Sequence, residues 1–482
     1  MSRAFGRKFL VTRLQTGRAA SEGLRIRPTR PWLGPHRPLL QRVARPVLQF
    51  LEIEAAGGIV LIAAALAALI WANSLWSGIY ERLWTTEVAI DLGPLVLRED
   101  LRHWVNDGLM VLFFFVVALE IKGEFDGGEL RSVRRAALPI AAAVGGMVVP
   151  ALIYLAVNLG AGSPEGWGIP VATDIAFALG VVALLGRRVP RSLKVFLLTL
   201  AIVDDIGAIL VIALFYTQEL SLPWLGGGVA VLGVVVVLRW LRVWYVPIYV
   251  LLGVGVWLAT YESGIHPTIA GVALGLLAPA RPLLTREEAD RFAEELRDGA
   301  ARVTEVRDTT FLIQESVPVT ERLQHTLHPW TSYVVIPLFA LANAGVRFDG
   351  DVLGQVAGSP VTIGAILGLV VGKPLGILAA SWVVTRLGPG SIPSGSSWLH
   401  LAGIGAVAGV GFTMSLFIGG LAFREASGQF QHAKLGVFAA SLAAAAIGSV
   451  LLVAAARRPS TEPGTAQRDG DWRRPSLARG SE

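Results

Sequence analysis

Leu193-Lys-Val-Phe-Leu-Leu-Thr-Leu-Ala-Ile-Val-Asp-Asp-Ile-Gly-Ala-Ile-Leu-Val-Ile-Ala-Leu-Phe-Tyr216 is apolar almost throughout, and its only charges are Lys194, Asp204 and Asp205. About 20 such residues in a helix cross about 30 Å of hydrocarbon. The run therefore reads as a transmembrane helix with a carboxylate pair in its middle. Comparable runs recur along the chain at 54–73, 104–120, 136–159, 168–186, 222–238, 244–260, 264–280, 329–346, 361–385, 399–422 and 433–455. Over 482 residues the sequence is 53% hydrophobic and 16% charged, with a mean hydropathy of +0.59. A soluble chain of this size hardly hides that much apolar surface. The fold class expected is all-α, a polytopic membrane protein of about 12 transmembrane helices.

Zero cysteines exclude disulfide scaffolds, thiol catalysis and thiolate metal sites. The net charge of +6 does not indicate nucleic acid as a partner, because the basic residues sit in the tails and in alternate short loops. One set of loops carries Lys122, Arg131, Arg134, Arg135, Arg187, Arg188, Arg191, Lys194, Arg239, Arg242 and Arg386; the other carries Arg82, Arg98, Arg102, Arg347, Arg424 and Lys434. Eleven against six places the first set in the cytoplasm, and an even number of spans puts both termini there.

Three regions follow: a basic, disordered arm over 1–45, a transmembrane domain over 46–455 and a solvated tail over 456–482. The arm holds eleven Lys/Arg against the single acid Glu22, and Phe9-Leu10-Val11 is too short an apolar core for a cleaved signal peptide. Between spans, Val88–Leu97 alternates and breaks at Gly93-Pro94, which predicts a small extracellular β-hairpin. The long cytoplasmic loop 281–328 carries seven Arg and ten acids, with apolar residues at helical spacing around 292–313, predicting an exposed helix.

An ionisable side chain within a span costs about 2.5–3.5 kcal/mol or more, so each is a functional candidate. The mid-span candidates are Asp174, Asp204, Asp205 and Lys373, while Asp107, Glu120 and His266 stand nearer the segment ends. Asp174 follows Gly168, Pro170 and Thr173, where the helix is weakened and carbonyls are freed for a cation. Such a break is tolerated in lipid only where it is buried in protein or lines a wet cavity. A second interruption, Gly403-Ile-Gly-Ala-Val-Ala-Gly-Val-Gly-Phe-Thr-Met414, lies in the eleventh segment. Paired breaks point to a transporter, although glycines taken singly also serve close helix packing. Successive helix positions differ by about 100°, so Asp204 and Asp205 cannot both face one ligand. One should face the ion and the other a partner, for which Lys373 is the only mid-span cation. The bland alternative, a structural ion pair, leaves two further carboxylates unpaired.

Thr173-Asp174-Ile-Ala-Phe-Ala-Leu-Gly180, Val203-Asp-Asp-Ile-Gly-Ala208, Gly264-Ile-His-Pro-Thr268, His328-Pro-Trp330, Leu341-Ala-Asn-Ala-Gly345, Gly372-Lys-Pro-Leu-Gly376 and Gly411-Phe-Thr-Met-Ser415 resemble, in order, the motif series of the NhaA Na⁺/H⁺ antiporters. The resemblance covers roughly residues 50–455. It implies inverted repeats with two interrupted helices crossing at the midplane, an architecture taken from the family and not from these residues. It further implies electrogenic, pH-regulated exchange of cytoplasmic Na⁺ or Li⁺ for external H⁺ across the bacterial inner membrane, with no cofactor, and a homodimer as the further partner. Asp205, Asp174 and Thr173 then take ion-site positions, and Asp204 with Lys373 those of the proton-coupling pair. Asp107, Glu120, His266, Gln324, His325 and His328 take positions of access or pH response. Where well-known members carry an acid just before His-Pro-Trp, this sequence has Gln324.

Rival classes fare worse. An intramembrane aspartyl protease needs a Tyr-Asp pair and a Gly-x-Gly-Asp stretch, yet Asp174 follows Thr173 and Asp204 follows Val203. An ATP-driven pump is disfavoured because Gly368-Leu-Val-Val-Gly-Lys-Pro374 has the wrong glycine spacing for a P-loop and no hydroxyl after the lysine. A sodium-coupled symporter or an ion channel is the alternative that composition leaves open.

Overall fold

The computed structural model describes residues 56–457, apart from 92, 94–95, 161–162, 218–219, 242, 244, 281, 283–316, 348–353, 355, 357, 389 and 424–426. The basic arm, the tail beyond 457 and the amphipathic stretch 292–313 lie outside the described residues. In chain order come α1 (Ala56–Ala72), α2 (Ser77–Trp84), β1 (Glu87–Asp91), β2 (Val96–Asp100), α3 (Leu101–Asp126), α4 (Val133–Asn158), α5 (Ile175–Leu185) and α6 (Arg191–Phe215). There follow α7 (Leu222–Trp240), α8 (Val246–Glu262), α9 (Thr268–Leu277), α10 over 319–343, α11 (Pro360–Leu387), α12 (Trp398–Ala408), α13 (Phe412–Ala422) and α14 (Gly428–Ala456).

Each of the twelve apolar segments carries helix. Among the described residues, six helices are long and apolar enough to cross a membrane on their own, or eight if the bent pairs α1 with α2 and α12 with α13 each make one span. α5, α8 and α9 are shorter than a full crossing. The ninth segment begins ten residues earlier than its hydropathy indicates, at Val319, because a polar first turn hides the helix from an apolar count. Pro329 is absorbed by a π turn over Thr331–Val335, where the Thr331 hydroxyl donates to His328 O at 3.0 Å. Further π turns lie at Trp104–Leu109 in α3 and Gly368–Gly372 in α11.

β1 and β2 pair antiparallel from Glu87↔Asp100 to Asp91↔Val96, turning at Gly93 with φ +81°, as the alternating run predicts. The Tyr261 hydroxyl donates to Glu99 on β2, Trp257 Nε1 donates to Asp107 O, and Ser221 N donates to Ser263 O. These bonds gather the hairpin, the α8–α9 turn and the α6–α7 turn at one end, here the hairpin end. At the opposite, basic end, Ser192 Oγ donates to Ser394 O and Arg239 to Leu277 O.

Close packing is set by glycine. A Cβ on Gly145 of α4 would collide with Gly376 O of α11, and one on Gly376 with Gly145 O, so the two helices meet backbone to backbone. That approach brings Lys373, three residues before Gly376, against α4: its Cε lies 3.9 Å from where a Gly146 Cβ would stand. The α10 C-terminus is closed by side chains from α2 and from the turn that follows α1. Tyr80 Oη lies 2.9 Å from Leu341 O and 3.1 Å from Ala342 O, and Asn73 Nδ2 donates to Val346 O at 2.7 Å. Gly345 is required there because any side chain would strike the Tyr80 ring.

Candidate functional site

Two segments lose their helix at facing positions. A 3-10 turn over Pro164–Gly168 is followed by turns through Val171 and non-helical chain over Ala172–Asp174, and Asp174 caps α5. α12 ends at Ala408 and α13 resumes at Phe412, with a bend of 46°. Asp174 N donates to Val410 O at 2.7 Å, and Ser415 Oγ donates to Ile169 O at 2.6 Å, so each broken stretch satisfies the backbone of the other. The glycines of the second break divide by role. Gly403 packs on Leu452 and Gly409 on Leu369 O, whereas Gly411 stands at the break itself against Ser415.

Asp174 caps two helices at once. Its Oδ1 accepts from Phe177 N at 2.9 Å, closing α5, and its Oδ2 accepts from Thr413 N at 3.0 Å and Thr413 Oγ1 at 2.6 Å, closing α13. Phe412 N is taken by Ser441 Oγ of α14 at 3.2 Å. Both half-helix N-termini thus converge on one carboxylate, where their partial positive charge favours an anion.

The carboxylate pair of α6 divides as its helical spacing requires. Asp204 Oδ2 accepts from Lys373 Nζ at 2.6 Å and lies 2.7 Å from Thr173 Oγ1, which is also 2.8 Å from Ala408 O. Lys373 Nζ donates in addition to Val171 O. Of the carbonyls freed near Pro170, those of Ile169 and Val171 are therefore already engaged. Asp205, 1% exposed, has neither oxygen hydrogen-bonded among the described residues, and Asp204 Oδ1 is likewise without a partner. An unmatched buried carboxylate costs several kcal/mol unless a proton or cation joins it.

The remaining candidates fall into two groups, one at the hairpin end and one, containing Glu120, toward the basic end and within electrostatic reach of Asp205. At the hairpin end His266 Nε2 lies 3.3 Å from Asp107 Oδ1, with His266 Nδ1 2.8 Å from Thr268 Oγ1. Toward the basic end Gln324 Nε2 donates to Glu120 Oε1 at 3.4 Å. His325 and His328 are exposed on α10, and among the described residues neither ring is hydrogen-bonded. Thr413, Ser415 and Ser441 were not singled out from sequence. Thr413 and Ser415 do lie in the motif Gly411-Phe-Thr-Met-Ser415, where a hydroxyl residue follows the glycine at which a helix restarts.

Broken helices closing on buried charge inside a bundle of apolar helices define a polytopic membrane protein. Residues 48–452 match the family described as Na⁺/H⁺ antiporter 1. The chain is 46% identical over 446 residues to Na⁺/H⁺ antiporter NhaA 2 of Sorangium cellulosum, covering 89% of this chain and 94% of that protein. It is 47% identical over 435 residues to Na⁺/H⁺ antiporter NhaA of Rhodopirellula baltica, covering 88% and 97%. A third relative, Na⁺/H⁺ antiporter NhaA 3 of Frankia alni, is 45% identical over 441 residues, covering 91% and 95%. The chain therefore belongs to the Na⁺/H⁺ antiporter 1 family.

Proposed function

We propose that this protein is a secondary antiporter that exchanges cytoplasmic Na⁺, or Li⁺, for external H⁺. The observation that carries the reading is Asp205, a buried carboxylate whose two oxygens are unmatched among the described residues, beside a matched Asp204–Lys373 pair. A proton or a sodium ion satisfies such a group equally in kind, so the two compete for it. A site that changes its exposure only when occupied by one or the other performs exchange.

In this reading Asp205 is the primary ligand. Asp174 and Thr173 join it when the ion displaces their hydrogen bonds to Thr413 and Asp204. The Asp204–Lys373 pair opens as protons are taken up, which gives the cycle more protons than sodium ions and makes it electrogenic. These groups titrate as a set. Asp107 with His266, and Glu120 with Gln324, His325 and His328, flank the two approaches and set the pH response. Twelve crossings, with the short helices completed by their non-helical flanks, put both termini in the cytoplasm and the hairpin outside the inner membrane, where it is available to a second copy.

The relatives are named as antiporters, in line with a transporter that performs no covalent chemistry. A pH-gradient dye in everted vesicles tests the reading: adding Na⁺ or Li⁺ should release the gradient while K⁺ does not. Proteoliposomes separate the alternatives, since a symporter needs a second solute and a channel follows voltage alone.

A further inference from the structure

Phe417 projects from α13 into a seam between α13, α3 and α10. Its ring centroid lies 5.5 Å from that of Phe114 on α3 and 6.0 Å from that of Phe339 on α10, and it is 3% exposed. His266 meets the same ring edge-on, at 5.2 Å and 89°. Thus one residue of the interrupted helix is gripped by rings from two other helices and from the α8–α9 turn.

Its level in the bundle matters. Four residues separate Phe417 from Thr413, about 6 Å along α13 toward the hairpin end. The ring stack therefore lies on the hairpin side of the Thr413–Asp174 contact. Beyond the stack comes the His266–Asp107 pair, 3.3 Å apart, and a small cavity lined by Glu99, His103, Asp107 and Trp257 reaches Asp107 from the hairpin end. At the basic end the opening is larger, a cavity of about 650 Å³ lined by residues including Gln324, Thr320, Asp126 and Arg131. Polar ground exists on both sides of the stack, and the stack itself is three phenylalanines. An aromatic cluster of this kind excludes water and stops an ion by refusing it hydration.

We propose that Phe417 is the hairpin-side gate of the transport route: its ring, clamped by Phe114 and Phe339, seals the buried carboxylates from the hairpin end and must leave that clamp for an ion to pass. The proposal rests on the exchange reading given above. Phe417 is a gating residue and binds no ion. Because it belongs to α13, any movement of that half-helix away from α3 and α10 opens the seal.

Proteoliposomes holding the native protein, Phe417→Ala or Phe417→Leu test this by uptake of radiolabelled Na⁺ at equal pH on both faces, with an interior-negative diffusion potential. An exchanger that moves more protons than sodium ions drives Na⁺ outward under that potential, whereas a leak draws it inward. Phe417→Ala should raise Na⁺ uptake several-fold above native, and Phe417→Leu, which keeps an apolar plug, should stay near native. A folded Phe417→Ala protein that remains sealed would overturn the proposal, whether or not it still exchanges. Should that variant fail to fold, Phe114→Ala opens the same seal from α3, and a folded, sealed Phe114→Ala protein would overturn it equally. Failure of the exchange reading shows separately, as absence of Na⁺-driven H⁺ movement in the native protein.

Discussion

Thr413 donates to Asp174 twice, from its hydroxyl at 2.6 Å and from its backbone N–H at 3.0 Å, so a carboxylate on one broken segment fixes the start of the other. The relationship ties the geometry of α5 to that of α13 through a single side chain. It also means that a cation recruiting Asp174 must loosen the α13 cap, which links occupancy of the site to the position of a half-helix.

Thr413→Val keeps the shape and the backbone donor but removes the hydroxyl. Loss of one charge-assisted hydrogen bond should cost about 1.5–3 kcal/mol of stability. Thermal unfolding in detergent should show Thr413→Val well below native and Thr413→Ser close to it. Equal melting temperatures for Val and native would mean that the hydroxyl contributes nothing to the clamp.

Asp204 and Lys373 form a pair with both side chains at 0% exposure. Removing one partner strands a buried charge at a cost of about 3–5 kcal/mol, while removing both does not. A cycle of Asp204→Asn, Lys373→Met and the double variant should show the double more stable than the sum of the singles predicts. Additive losses would show that the pair is not energetically coupled.

Gln324→Glu places a second carboxylate 3.4 Å from Glu120 in the native arrangement of that contact. Two carboxylates so close share a proton and part with it only at more alkaline pH. The rate of exchange against pH should therefore become steeper and move to higher pH in the variant. Vesicle assays across pH 6–9 would decide it, with His325→Ala/His328→Ala as the comparison. A profile unmoved by either change would remove this segment from the pH response.

The sequence was most informative where the chemistry is local. The 100° step of a helix already divides Asp204 from Asp205, and the structure pairs the first with Lys373 and leaves the second unmatched. The breaks near Pro170 and Gly411 were legible from the residues that weaken a helix. What the breaks do for each other was not, because the bonds from Thr413 to Asp174 and from Asp174 N to Val410 O join segments more than 230 residues apart. The early start of α10 escaped hydropathy for a different reason, its first turns being polar. Ser441 was invisible as a cap, since a serine within an apolar helix looks like any small packing residue.

Packing sets a further limit. Gly376→Ala adds one methyl where α11 touches the α4 backbone, and overpacking of this kind costs about 1–3 kcal/mol or more. The variant should lower the melting temperature and weaken exchange by displacing Lys373. Gly226→Ala, where a Cβ meets nothing within 4 Å, should be close to neutral in both measurements.

In the exchange we propose, Na⁺ and H⁺ compete for the buried carboxylate of Asp205. Asp205→Asn preserves size and hydrogen-bonding shape while removing the charge, so the protein should insert and fold. Na⁺-driven proton movement measured in everted vesicles should then disappear at every pH, whereas Asp174→Asn should raise the Na⁺ concentration for half-maximal exchange and leave residual turnover. A folded Asp205→Asn protein that exchanges at the native rate would contradict the account.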